Sequence, residues 1–95
     1  MSRFEVAHIR QQGQDIIIVP LERSFGYRSD SEQTEIYCAL ETASNAAGLR
    51  GRVIAVWDGG RGRLAFRAPR EWSRFCQSLT WPFIARNINK TVVVD

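Results

Sequence analysis

Arg52-Val53-Ile54-Ala55-Val56-Trp57-Asp58-Gly59-Gly60-Arg61-Gly62-Arg63-Leu64-Ala65-Phe66-Arg67-Ala68 reads as two strands joined by a glycine-rich turn. Val53 to Trp57 is an unbroken run of β-branched, small and aromatic residues, apolar on both faces of a pleat. So short a run fits a strand buried on both sides, although periodicity alone also admits a short buried helix. Asp58-Gly59-Gly60-Arg61-Gly62 supplies residues that tolerate positive φ, which a tight connection needs. From Arg61 the pattern changes to period two. Arg61, Arg63, Ala65 and Arg67 point one way, Leu64 and Phe66 the other. The hairpin therefore has one packed face and one basic face, and serves as the spine of a small α+β domain.

Upstream, Phe4, Val6 and His8 alternate with Glu5, Ala7 and Ile9 as a first strand. Gln11-Gln12-Gly13-Gln14 is a turn. Asp15-Ile16-Ile17-Ile18-Val19-Pro20 is a second strand, apolar on both faces and so central, with Pro20 ending its ladder. His8 falls in line with Phe4 and Val6 and reads as a strand-end ring against the core. Ser29-Asp30-Ser31-Glu32 has the capping-box pattern, with acids where the helix dipole favours them. Ile36, Ala39, Leu40, Ala43 and Ala47 then recur at helical spacing, and Gly48 fits the left-handed helix end. One helix is expected from Asp30 to Ala47. Between strand and helix, Phe25 and Tyr27 flank Gly26. They either tie the loop to the core or, with Arg23 and Arg28, form a stacking site for bases.

Downstream, Ala68-Pro69 opens a second helix with Trp72, Phe75, Cys76 and Leu79 inward and Arg70, Glu71, Arg74 and Gln77 outward. Trp81-Pro82 breaks it, and Phe83 to Arg86 is either a helical turn or a short extended piece. Thr91-Val92-Val93-Val94 is a last strand, tucked into the sheet or forming an edge that pairs with another copy. The order is ββαββαβ. It gives one domain over residues 1–95, a mostly antiparallel sheet of about five strands with two helices packed on one face.

Ninety-five residues, with 44% apolar and 24% charged, suit one modest core rather than a disordered chain. No apolar run approaches the ~20 residues of a membrane helix, and the first residues lack the apolar core of a secretory signal. A cytoplasmic protein with no membrane association is expected. Cys38 and Cys76 are far apart with no metal-ligand spacing, and read as free thiols in a reducing compartment. With a single histidine, no metal site is implied, and no cofactor either. The net charge of +3 is unevenly spread. Residues 1–49 hold four arginines against seven acids, and residues 50–95 hold eight arginines and one lysine against three acids.

Gln14 to Leu21, Ser24-Phe25-Gly26, Val56-Trp57-Asp58-Gly59-Gly60 and Asn87-Ile88-Asn89-Lys90 together resemble small bacterial proteins of about this length that have no function attached. The resemblance spans most of the chain and implies a compact bacterial α+β domain. It brings no catalytic residue, ligand or partner with it.

No nucleophile elbow, phosphate-binding loop, zinc-binding helix or dinucleotide fingerprint is present, so the residues do not point to an enzyme. Asp58-Gly59-Gly60 with Arg61 could offer backbone amides and a guanidinium to an anion, though a hairpin turn explains the same residues. Two other readings remain. In one, Arg61, Arg63 and Arg67 on the strand, with Arg70 and Arg74 beyond it, hold single-stranded nucleic acid or another anion, helped by stacking on Phe25 and Tyr27. In the other, oppositely charged halves and a valine strand make a protein-interaction or self-associating module, with a protein partner or as a homodimer. By elimination the second is favoured and the first is the alternative.

Overall fold

The computed structural model describes residues 2–95. Strand β1 (Ser2–Gln11) turns back on β2 (Gln14–Pro20) through Gln12 and Gly13, whose φ values of 52° and 76° both lie in the left-handed region. Their pairing runs from Ala7 opposite Ile18 to Gln11 opposite Gln14. A 3₁₀ turn, Arg23–Tyr27, leads to helix α1 (Asp30–Ala46). The capping box closes as the sequence predicts. Ser29 Oγ accepts from the Glu32 backbone at 3.2 Å, and the Ser29 backbone donates to Glu32 Oε1 at 3.1 Å. These bonds to Ser29 hold the Glu32 carboxyl below its ordinary value.

Helix α1 carries the chain across the sheet, so that β3 (Arg52–Asp58) lies parallel to β2, with Ile16 opposite Arg52 and Pro20 opposite Val56. The return depends on Gly51. Its φ is +112°, and a Cβ there would sit 2.1 Å from the Asp15 carbonyl oxygen, so only glycine fits. Strand β4 (Leu64–Arg67) pairs antiparallel with the end of β3. A 3₁₀ turn (Arg70–Trp72) and two short helices, α2 (Ser73–Gln77) and α3 (Trp81–Asn87), then lead to β5 (Lys90–Val94). β5 pairs antiparallel with the start of β1. The sheet order is β4-β3-β2-β1-β5, with β2 and β3 as its one parallel pair.

The α+β class, the five strands and their mostly antiparallel pairing match the expectation from sequence. The placement of both helices on one face does not. Ile17, Val19, Val53 and Val92 pack with Leu40 of α1, whereas Ile16, Ile18, Ile54 and Val56 pack with Trp72, Cys76, Leu79 and Ile84. Helix α1 thus covers one face of the sheet, and α2 with α3 cover the other. The cause lies in β2 and β3, where Ile16 to Val19 and Val53 to Val56 are all fully buried. A strand apolar on both sides must be covered on both, and each aliphatic side chain so buried contributes about 1.5–3 kcal/mol. The last crossover, from one edge of the sheet to the other, takes the face that α1 leaves free.

The region after Trp81 also resolves. Pro82 does not break a helix but sits in the first turn of α3, where a missing N–H costs nothing, and Thr80 Oγ1 accepts from the Phe83 backbone at 3.3 Å. Asn89 then ties the approach to β5. Its side chain accepts from the His8 backbone N–H at 2.8 Å and donates to the His8 carbonyl at 2.9 Å, extending the β1–β5 ladder by one residue. The His8 ring is half-buried, and its Nε2 donates to the Arg50 carbonyl at 3.0 Å.

Candidate interaction surface

The arginines proposed for a strand face do not form one. β4 begins only at Leu64, so Arg61 and Arg63 belong to the turn and not to the strand. Asp58 shapes that turn: its Oδ1 accepts from the Gly60 backbone at 2.8 Å and from the Gly62 backbone at 3.1 Å. The amides that could have received an external anion are thus occupied by the chain's own carboxylate. Period two does hold within β4. Leu64 and Phe66 pack toward α2 and α3, and Ala65 packs toward Phe25 and Trp57 on the other side. Arg67 lies on that other side and is clamped to α1. It donates to Asp30 Oδ1 at 3.0 Å, Gln33 Oε1 at 3.1 Å and Thr34 Oγ1 at 2.8 Å. Arg70, in the 3₁₀ turn, and Arg74, on α2, are exposed on the far face.

The stacking pair is also divided. Phe25 is 4% exposed and packs edge-on against Trp57, ring centroids 4.7 Å apart, so it has no face for a base. Tyr27, by contrast, is 80% exposed. Among the described residues, no three His, Cys, Asp or Glu side chains come together as metal ligands, and no helix is long and apolar enough to cross a membrane.

The two edges of the sheet are built differently. Beside β4, the edge is closed by side chains of α1. β4 pairs with β3 only from Ala55 to Asp58, which leaves Val53 beyond the ladder. Glu41 Oε2 accepts from the Val53 backbone N–H at 3.1 Å and from Arg52 Nε at 2.8 Å, and Tyr37 Oη donates to the Val53 carbonyl at 2.7 Å. Burial of the Tyr37 phenol, reinforced by the Glu41 carboxylate, raises its pKa above the ordinary 10.0. The hydrogen bond to Glu41 in turn raises that of Arg52.

At the other edge nothing among the described residues covers the outer side of β5. β1 occupies its inner side, and among the described residues no strand lies beyond it. Val92 is buried under α1, but Val93, opposite Arg3 on the other face, is 44% exposed. Val93 and Tyr27 are the exposed large apolar side chains among the described residues. Between this edge and the flank of α1 runs an open groove of about 700 Å³, lined by Cys38, Ala39, Thr42, Ala46, Val93 and Val94 among others. Asp95 is the charged residue in its wall. A smaller cleft of about 540 Å³, between the start of β1 and α3, carries Arg3, Glu5 and Glu22 around Trp81 and Ile84.

The valine strand was visible in the sequence as a candidate edge. The groove wall was not, because the helical spacing places Ala39 in the core stripe, whereas it is exposed. Tyr37 and Glu41 gave no signal, since their role depends on β4 being too short to cover Val53. Compared with known protein families, curated proteins and solved structures, the chain matches none.

Proposed function

We propose that the protein is a non-catalytic interaction module of the cytoplasm that pairs with a second copy of itself by adding β5 to β5, antiparallel. The open outer edge of β5, with Val93 exposed on it, carries this reading. An unpaired row of backbone donors and acceptors is a template for another strand, and this one has no proline and, among the described residues, no covering segment to blunt it. A second copy suits it because the strand is complementary to itself. Paired about a two-fold axis at Val92, Lys90 of each strand lies across from Val94 of the other, one residue from its Asp95. Such an axis, perpendicular to the sheet, places both α1 helices on the same face. The small residues Ala39, Thr42 and Ala46 then let the two helices approach across the groove. Two free cysteines, one of them exposed, fit a reducing compartment.

Light scattering on the purified protein tests the reading. Twice the monomer mass is expected for the wild type and the monomer mass for Val93→Lys. Cys38 on the groove wall supplies a second readout, since Cys76 is buried and its thiol is pushed up to about 11, and so it stays inert. Alkylation of Cys38 should slow as protein concentration rises. A wild type that stays monomeric at high concentration, or a Val93→Lys protein that remains a dimer, overturns the proposal.

A further inference from the structure

The ion pairs of the structure are confined to one side of the sheet. Arg10 pairs with Asp15, Arg28 with Glu32, Arg52 with Glu41 and Arg67 with Asp30. All four pairs lie on the side that α1 covers, and α1 itself holds four acids and no basic residue. On the opposite side the balance is reversed. Arg70, Arg74 and Arg86 stand exposed on the 3₁₀ turn, α2 and α3. Arg61 and Arg63 flank Gly62, whose carbonyl accepts from Trp81 Nε1 at 3.0 Å, so the hairpin turn is fastened to the start of α3. None of these five arginines makes an ion pair or a side-chain hydrogen bond among the described residues. The acids on this side are Glu71 in the 3₁₀ turn, Asp58, whose carboxylate is taken up by the Gly60 and Gly62 backbone amides of the hairpin turn, and Glu5 and Glu22, which line the cleft beside α3.

We infer that the α2–α3 layer is a contact surface for the phosphate backbone of single-stranded nucleic acid, independent of base sequence. The inference rests on this face of the monomer and does not require pairing through β5. Three features favour that partner. The basic residues are all arginine, whose planar guanidinium binds phosphate bidentately and also stacks on bases. Phe75, next to Arg74 on α2, and Phe83, three residues before Arg86 on α3, pack against the core, Phe75 edge-on to Trp72, but are only half-buried, so part of each ring stays open to a base. A bilayer would need apolar side chains to insert, and the exposed large ones, Tyr27 and Val93, belong to neither α2 nor α3.

The test is fluorescence anisotropy with a labelled, mixed-sequence single-stranded DNA oligonucleotide. If all five arginines contact phosphate, affinity falls roughly 100-fold between about 50 and about 200 mM salt. For the double variant Arg70→Gln/Arg74→Gln, binding is weaker at the lower salt and the fall shrinks to roughly 20-fold, as expected for two lost contacts. Arg10→Gln/Arg28→Gln, which removes the same charge from the α1 side, leaves affinity and salt dependence unchanged. No binding at the lower salt, equal weakening by the two double variants, or no weakening by Arg70→Gln/Arg74→Gln overturns the inference.

Discussion

One edge of this sheet is closed from within and the other is left open, and the contrast shows how a small domain directs its contacts. At the β4 edge the strand is only four residues long, and α1 reaches over it with three anchors. Arg67 is held to Asp30, Gln33 and Thr34, while Tyr37 and Glu41 take the two backbone groups of Val53 that no strand covers. An incoming strand would have to displace these bonds. At the β5 edge there is no such device among the described residues, and the groove beside it is lined by small and apolar residues with Asp95 at its end. Both edges belong to the same five-stranded sheet, so what separates them is side-chain chemistry supplied by a single helix.

The sharpest way to break the contrast is Glu41→Ala. It strips the buried Val53 N–H of its acceptor and frees Arg52, and should cost about 2 kcal/mol in a denaturant melt. If Glu41→Ala unfolds at the wild-type midpoint, the closure at this edge is not held by Glu41. Arg67→Gln comes next. The loss of three hydrogen bonds between β4 and α1 should cost about 1.5 kcal/mol. By comparison, Arg70→Gln on the far face should stay within about 0.5 kcal/mol of wild type, because its guanidinium has no partner to lose.

Tyr37→Phe should cost about 1 kcal/mol at neutral pH, since the Val53 carbonyl loses its donor. The phenol adds a pH signature. Its pKa is raised in the folded state above the ordinary 10.0, so its contribution is complete below pH 10 and is lost as pH rises through the higher folded value. Melts from pH 9 to 12 should show a steeper alkaline decline for wild type than for Tyr37→Phe, and parallel curves would contradict this. Val93→Lys ranks with Arg70→Gln among the smallest effects on stability. On the open edge it should leave the monomer within about 0.5 kcal/mol of wild type while changing its mass in solution.

Much of the fold was legible because it is written in local patterns. Ser29 and Glu32 mark the start of α1, Gly48 its end, and the runs Ile16–Val19 and Val53–Val56 mark the inner strands. The helices depart from the expected one-face placement for a reason already present in β2 and β3. Strands apolar on both faces already demand a cover on each side, and helices on one face could not supply it. The candidate site was less legible. Arg61, Arg63 and Arg67 share a parity in sequence, yet Asp58 draws the first two into a turn and α1 captures the third. Phe25 and Tyr27 are two residues apart in sequence, and one is buried against Trp57 while the other is exposed.

The sequence by itself determined what propensity, capping and period decide: five strands, a long capped first helix, and a charge that changes sign between the halves of the chain. These depend on neighbours within a few residues, and a reader of the chain sees those neighbours. Only the tertiary structure decided which edge was closed, which arginines were paired and which face each helix covered. Those outcomes depend on contacts between distant residues, such as Arg67 with Asp30 or Glu41 with Val53, that exist only once the crossover through α1 has laid β3 beside β2.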